Sequence, residues 1–379
     1  MMQQPQFIPC CRNINPSARG CPGNCGFFIN ADFLYWRADE NDLPYAFVQT
    51  ENGTVTLSNN GVNAFTQFVP VGYFANIDFN WRAGFRVGAG WNTPYGGWDT
   101  LINWTWYRNS TIDSVHEDLT FNAGQTQVLT GIVPIVSIFN GTNNRTFTDS
   151  ARAHWTLLYN MIDLELGRAF YVAEELSLRP FIAVRGGWID RKLSIEYGLS
   201  PLPNNNSGLV VPSGLLFPNT LSFKNNYWGI GPRFGINTDW RFCNGFMILG
   251  DLSAALLYGK VFKDHIIDID YSPWVNFIGF NGAVTPGQTP LTLWDVKNRK
   301  HVWRGIPNFQ WFLGFGWGDC INCNKMYFSI KAGWEANIYL NIQNFTDDFV
   351  INNAAGALGF PSSHTLTLMG ATISAKLDF

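Results

Sequence analysis

Residues 77–91, IDFNWRAGFRVGAGW, alternate strictly between apolar side chains and side chains that are polar or glycine. Because side chains on a strand point alternately to opposite faces, this segment predicts a strand with one apolar and one polar face. At roughly 3.3 Å per residue it would extend for about 50 Å, twice the usual length of a soluble strand. Tilted by about 45°, such a strand crosses a membrane. One edge of a soluble β-sandwich would show the same pattern, so the rest of the chain decides between the two.

The alternation recurs to the end of the chain, in residues 98–106, 176–188, 228–241, 326–338 and 369–379. Short turns and long polar segments alternate between these strands, which is typical of an up-and-down barrel with tight turns at one rim and long loops at the other. The fold class predicted is therefore all-β: an antiparallel transmembrane β-barrel of about ten strands, with short periplasmic turns and long extracellular loops. Residues 43–49 and 62–70 could form one more hairpin, which would make twelve strands.

Composition favours the membrane interpretation. Aromatic residues make up 16% of the 379 residues and charged residues only 14%, against about 25% charged residues in soluble domains. Aromatic side chains such as Trp91 and Trp98 flank the short turns, as expected for a girdle at a lipid boundary. The net charge of −3 and the absence of a basic run argue against nucleic acid as a partner.

The chain divides into a cysteine-rich arm, residues 1–25, expected in the periplasm, and a single barrel, residues 26–379. All seven cysteines fall in the arm or at the short turns, the rim that would face the oxidising periplasm. The disulfide candidates are Cys10, Cys11, Cys21, Cys25, Cys243, Cys320 and Cys323. Two of the spacings would also suit zinc, but they lack the context of a small zinc domain, so disulfides are favoured over a metal site.

Strand parity turns a set of charged side chains towards the lumen, and these are the predicted pore-lining residues: Asp78, Arg82, Arg86, Asp163, Glu165, Arg179, Arg185, Arg233, Asp239, Lys331 and Glu335. With Asp32, Asp99, Arg241, Asp251, Arg304, Lys376 and Asp378, the inward set comprises nine basic and nine acidic residues. Such a balance predicts weak charge selectivity. It is equally compatible with ion-paired ladders that fill a small barrel.

Three segments resemble the pore-forming outer-membrane family of Legionella and the chlamydiae: CGFFINADFLYWRADENDLPYAF, FNWRAGFRVGAGWNTPYGGWDTLINWTWY and DLELGRAFYVAEELSLRPFIAVRGGWIDRKLSIEY. This family includes the porins of chlamydial relatives that are similar to the major outer membrane protein. The resemblance covers essentially the whole chain, up to the closing ATISAKLDF. It implies an integral protein of the bacterial outer membrane that forms a water-filled channel for passive diffusion of small solutes and ions. For chlamydial envelopes it also implies disulfide links to other envelope proteins or to a second copy.

The sequence leaves two alternatives to a porin. One is a structural or adhesin-type barrel, and the other is a barrel enzyme, either a protease or a phospholipase. The five histidines are scattered and form no recognisable catalytic motif, so we do not expect an enzyme. No motif suggests a cofactor. The expected partners are outer-membrane lipid and the diffusing solutes.

Overall fold

The computed structural model describes residues 26–40, 43–58, 64–94, 96–121, 128–135, 148–198, 220–270, 293–321, 326–342, 345 and 365–379. Its strands are β1 (Phe27–Glu40), β2 (Pro44–Ser58), β3 (Ala64–Asn76), β4 (Trp81–Asn92), β5 (Trp98–His116), β6 (Thr120–Phe121), β7 (Val128–Pro134), β8 (Ser150–Arg168), β9 (Phe170–Tyr171), β10 (Leu176–Gly198), β11 (Thr220–Arg241), β12 (Phe246–Asp270), β13 (Leu293–Ile321), β14 (Met326–Tyr339) and β15 (Leu366–Asp378). In these ranges no helix is long and apolar enough to cross a membrane.

Ten of the strands form one closed antiparallel barrel. Around the wall the order is β1, β4, β5, β8, β10, β11, β12, β13, β14 and β15. The first and last strands pair from Phe28 opposite Asp378 to Glu40 opposite Leu366, which closes the sheet and removes its free edges. The prediction of a ten-stranded antiparallel barrel is therefore confirmed.

The extra hairpin that would have made twelve strands forms outside the wall. Strands β2 and β3 pair with each other, and β2 pairs with β7 and β7 with β6, in a separate four-stranded sheet at the long-loop end. Leu43, Tyr45 and Val48 are buried there. Because these apolar side chains pack against protein, the segment could not serve as a wall strand with an exposed apolar face.

The alternating segment 77–91 also differs from the prediction at its start. Strand β4 begins only at Trp81. Ile77 and Phe79 turn inwards and are buried, and the Phe79 ring lies edge-on to Trp155 with 4.8 Å between the ring centroids. The expectation that the whole segment forms one wall strand is therefore wrong for residues 77–80, since packing against the barrel interior stabilises a different course.

From Trp81 onwards the outward face of the wall is apolar and exposed. Large apolar side chains cover it on every barrel strand, for example Phe33, Phe85, Leu164 and Leu313. Aromatic rings contact one another at the long-loop end of this band, as in Tyr35, Trp81 and Trp334. At the short-turn end Phe27 stacks on the C-terminal Phe379. The predicted apolar face and the predicted aromatic girdle at the short turns are thus present, and a second group of aromatic rings lies at the long-loop end.

The half of the barrel interior nearest the long loops is packed with apolar side chains. Inward residues such as Trp36, Trp155 and Leu193 form one buried cluster with side chains from outside the wall. We call those side chains the plug: Leu43, Tyr45, Ala46, Val48, Ala75, Ile77, Phe79, Ile132, Ile135, Ile342 and Phe345.

Tyr45 belongs to the plug and accepts a hydrogen bond at its carbonyl oxygen from the Tyr197 hydroxyl, at 2.7 Å. Burial, with a smaller contribution from Asp113, raises the pKa of the Tyr45 phenol. The phenol is therefore neutral at physiological pH and adds no charge to the plug.

Candidate functional site

Below the plug, the half of the lumen nearest the short turns holds a polar cavity of about 290 Å³. It reaches the rim, where Asn92, Gly97 and Ala169 line it at the short turns. Its walls come from all ten barrel strands, because every second residue of each strand points inwards. The charged residues lining it are eight acidic and six basic among the described residues: Asp32, Asp99, Asp163, Glu165, Asp239, Asp251, Glu335, Asp378, Arg86, Arg179, Arg233, Arg241, Lys331 and Lys376.

Arg86 pairs with carboxylates on two other strands. From β4 its guanidinium binds Glu335 of β14 at 2.6 Å and Asp32 of β1 at 3.1 Å. Glu335 also accepts hydrogen bonds from the Thr372 hydroxyl at 3.0 Å and the Gln310 amide at 2.7 Å. A carboxylate with this many donors is fully satisfied, so the group is a rigid junction that links non-adjacent strands.

Arg179 forms a second junction on the other side of the cavity. It contacts Asp99 of β5 at 2.5 Å and Glu165 of β8 at 3.1 Å. Its guanidinium also donates to the Asn237 side chain at 2.9 Å. Because the arginine reaches three other strands, it fixes the spacing of the wall near the short turns.

Arg185 and Arg233 close the top of the cavity. Arg185, only 3% exposed, binds both carboxylate oxygens of Asp163, at 2.6 and 2.8 Å. It also donates to Gln310 at 2.8 Å, while Arg233 bonds Glu165 at 2.8 Å and Gln310 at 3.1 Å. Gln310 thereby joins this group to Glu335 and Arg86. We call this chain, Arg185–Gln310–Glu335–Arg86, the crossbar, because it runs between opposite walls of the lumen.

Directly above the crossbar the Tyr159 and Tyr339 hydroxyls hydrogen-bond to each other at 2.7 Å across the lumen. Both side chains are buried and belong to the apolar cluster that contains the plug. In this conformation the described residues therefore occupy the lumen above the cavity.

Most of the predicted pore-lining residues meet at this site. Those that line the cavity are Arg86, Asp163, Glu165, Arg179, Arg233, Asp239, Lys331 and Glu335. Arg185 lies in the crossbar rather than on the cavity wall.

Asp78 and Arg82 do not line the cavity, which corrects the prediction for these two residues. The Asp78 side chain is 87% exposed and pairs with Arg37 at 3.2 Å. Arg82 is exposed and donates to the Ser110 carbonyl oxygen at 3.2 Å. The inward course of residues 77–80 turns the Asp78 side chain away from the interior, whereas Arg82, the second residue of β4, lies near the long-loop end, above the cavity.

Sequence reasoning missed Gln310 and Asn308 as site residues. Both are uncharged, and both accept hydrogen bonds from Arg185, at 2.8 and 2.5 Å. The alternation along β13 could have identified both residues as facing inwards. Exposed side chains at Phe309, Trp311 and Leu313 alternate there with the inward positions Asn308, Gln310, Phe312 and Gly314. A search limited to charged residues passed over them.

The cysteine predictions fall mostly outside the described residues. This applies to Cys10, Cys11, Cys21, Cys25 and Cys323, and with them to the arm, residues 1–25. Cys243 begins the short turn between β11 and β12, and its side chain is not described. Cys320, near the short-turn end of β13, is disulfide-bonded.

One known family matches this chain over nearly its whole length. Residues 22–379 match the family described as the Legionella pneumophila major outer membrane protein precursor. The chain belongs to this family. Family membership and the closed barrel together establish an integral β-barrel of the outer membrane. The apolar band of a major outer membrane protein faces lipid, and its short turns face the periplasm.

Three solved structures match this chain with low identity and low TM-scores. The outer membrane protease OmpT of Escherichia coli matches with 13% identity and a TM-score of 0.35, covering 95% of this chain and 98% of that one. The toluene transporter TodX of P. putida matches with 10% identity and a TM-score of 0.23, covering 94% and 89%. The toluene transporter TbuX of Ralstonia pickettii matches with 12% identity and a TM-score of 0.23, covering 97% and 92%. No curated protein matches.

Proposed function

We propose that this barrel is an outer-membrane porin for passive diffusion of small solutes and ions, and that it has no enzymatic activity. The observation that carries the proposal is the polar cavity of about 290 Å³, which extends from the periplasmic rim to the middle of the lumen. A barrel with a purely structural role would be more stable with this space filled by side chains, because the atoms that line an unfilled volume lose van der Waals contacts.

The conformation described corresponds to a closed porin with two barriers in series. The first is the crossbar, whose side chains lie directly in the path of a solute. The second is the plug, whose side chains come from outside the ten wall strands. Because the plug shares no strand pairing with the wall, it can move without breaking the backbone ladders of the ten wall strands, at the cost of side-chain contacts such as Tyr197 to Tyr45. We therefore expect brief openings rather than steady conduction.

The cavity lining carries eight acidic and six basic residues among those described, so a small excess of negative charge faces the solute. A cavity lining with a net negative charge raises the local concentration of cations. The selectivity expected of the open porin is thus a weak preference for cations.

The decisive experiment is single-channel recording in planar bilayers, together with liposome swelling for uncharged solutes. The matched variant is Gln310→Ala, which interrupts the crossbar without leaving an unpaired charge. We expect short steps from the wild type and a larger open fraction from the variant. Absence of steps and of swelling from both proteins would exclude a porin.

A structural envelope barrel is the second candidate, and the packed upper lumen favours it. An apolar cluster of this extent stabilises a barrel and contributes nothing to conduction. In this case both proteins would be silent in bilayers, while loss of the barrel would weaken the envelope mechanically. Disulfide links from the short-turn rim to other envelope proteins, or to a second copy, are compatible with either of the two functions.

A further inference from the structure

The outward face of four neighbouring wall strands carries a band of cations above the aromatic girdle at the long-loop end. The pairing register places Trp188 of β10 opposite Trp228 of β11, and Trp303 lies on β13 across Lys260 of β12. The Trp228 and Trp303 rings meet edge-on at 5.9 Å between centroids. These tryptophans mark the boundary of the hydrocarbon layer.

Four residues further along each strand, the register aligns Lys192, Lys224, Asp264 and Arg299 in one row. We call this the cationic row. Lys192 and Lys224 lie directly opposite each other and are both exposed. Like charges in directly opposed positions destabilise a sheet. An anion bound between the two lysines would offset this repulsion.

The described residues offer Lys192 and Lys224 no ion-pair partner, and Asp190, two residues from Lys192 on the same outward face, is paired with neither lysine. Asp264, the carboxylate in the row, is held by Arg299 at 3.0 Å. Lys192 and Lys224 form no ion pair or hydrogen bond with any described side chain. Lys260 lies four residues from Asp264, in the tryptophan row itself. Its Nζ is 4.9 Å from the centroid of the Phe262 ring, so its ammonium group points along the same face.

The height of the cationic row identifies the layer that it faces. Four residues at about 3.3 Å each, on strands tilted by about 45°, place it roughly 9 Å above the girdle. The headgroup layer of a bilayer begins at the girdle and is about 5–7 Å thick on each side. The backbone of the row therefore lies roughly 2–4 Å above this layer, and the long side chains of lysine and arginine reach back down to the headgroup phosphates.

We propose that the outward face of β10–β13 is a binding site for the phosphorylated headgroup of an outer-leaflet lipid, held by Lys192, Lys224 and Arg299, with Lys260 below. Lysine binds phosphate as a compact point charge, and arginine adds a planar fork of donors. The apolar side chains beneath the girdle contact the acyl chains of the same lipid. This site is independent of conduction through the lumen.

The test uses the full-length barrel purified in detergent and then placed in phosphatidylcholine nanodiscs with or without bisphosphorylated lipid A. Retained lipid A is counted by native mass spectrometry for the wild type and for the double variant Lys192→Gln/Lys224→Gln. Loss of two interfacial lysines should weaken retention roughly 10- to 30-fold. The matched control is Lys300→Gln, which removes an exposed lysine from the opposite face of β13 at the same end of the barrel.

A second measurement separates binding from folding. In nanodiscs of phosphatidylcholine alone, the double variant should resist heat as well as the wild type or better, because it lacks the Lys192–Lys224 repulsion. Lipid A should raise the melting temperature of the wild type and of Lys300→Gln, and not that of the double variant.

Three results would overturn the proposal: equal retention of lipid A by wild type and double variant, an equal loss in Lys300→Gln, or retention of dephosphorylated lipid A as strong as that of the phosphorylated form. A last experiment adds inorganic phosphate to the protein at the same concentration as lipid A. If it displaced lipid A completely, the site would recognise free phosphate rather than a lipid.

Discussion

At the scale of single residues, neighbours along one strand have opposite surroundings. Ile373 of β15 is 52% exposed on the apolar face, whereas Ser374 lines the polar cavity. Not every inward position can accept a larger side chain. A Cβ atom on Gly84 would lie 2.8 Å from the Trp106 carbonyl oxygen and 2.9 Å from the Tyr107 ring. Tests of the inside and outside assignment therefore need inward positions that face open space.

Ile373→Arg should impair insertion and folding, because an arginine on the lipid face near the bilayer midplane costs about 2–4 kcal/mol. Ser374→Arg should fold normally and reduce any conductance, since its charge enters the cavity. Heat-modifiable migration on gels and refolding into lipid vesicles measure the first effect. Equal folding of both variants would contradict the assignment of faces.

Arg185→Leu should destabilise the barrel by about 3–5 kcal/mol, because Asp163 would stay buried without its main partner. The double variant Arg185→Leu/Asp163→Leu should lose less than the single variant, since no uncompensated charge remains. Unfolding by urea in vesicles gives both free energies. If the double variant were less stable than the single variant, the attraction between Arg185 and Asp163 would exceed the free energy needed to remove both charges from water.

At the scale of elements, the β2–β3 hairpin is an accessory to the barrel rather than a part of its wall. Its four-stranded sheet shares no ladder with the ten wall strands. β1 and β4 pair directly as far as Arg37 opposite Trp81, so the two wall strands remain neighbours without it. The hairpin instead supplies Tyr45, Val48 and Ala75 to the plug.

Replacing residues 43–79 by a Gly/Ser linker of about 4–6 residues, a common length for such connections, should leave the barrel folded and increase its conductance. The reason is that a large part of the plug is removed while the wall ladders are kept. Planar-bilayer recording and heat-modifiable migration measure the two outcomes. A folded variant with unchanged conductance would mean that the hairpin does not obstruct the path.

At the scale of the whole molecule, the two cysteines among the described residues lie at the short-turn rim. Cys320 is already disulfide-bonded, and Cys243 begins a short turn at the same rim. An odd total of seven cysteines leaves at least one for a thiol or for a bridge to another chain. The oxidising periplasm favours bridging over a free exposed thiol.

Thiol-blocked envelopes should therefore show a high-mass ladder on gels that collapses to the monomer with reductant. Replacing Cys10, Cys11, Cys21 and Cys25 by Ser should abolish the ladder and leave the barrel inserted. A single monomer band with and without reductant would limit the disulfides to internal ones. Labelling of any cysteine by a membrane-impermeant maleimide on intact cells would contradict the periplasmic position of this rim.

By itself the sequence determined the wall of this protein: its all-β class, the ten strands, the inward and outward faces and the two lengths of connection. These features depend on a two-residue period and on local turns, which can be read without knowledge of distant contacts. Eight of the eleven predicted lumen residues line the cavity for the same reason.

Only the tertiary structure decided how the lumen is filled. The inward turn at Ile77 and Phe79, the plug and the crossbar through Gln310 all join segments that are far apart in the chain. Which side chains meet across the lumen depends on strand tilt and on the stagger of the closed barrel, and no local pattern encodes these. The like-charged pair Lys192 and Lys224 likewise became visible only when the register brought the two strands together.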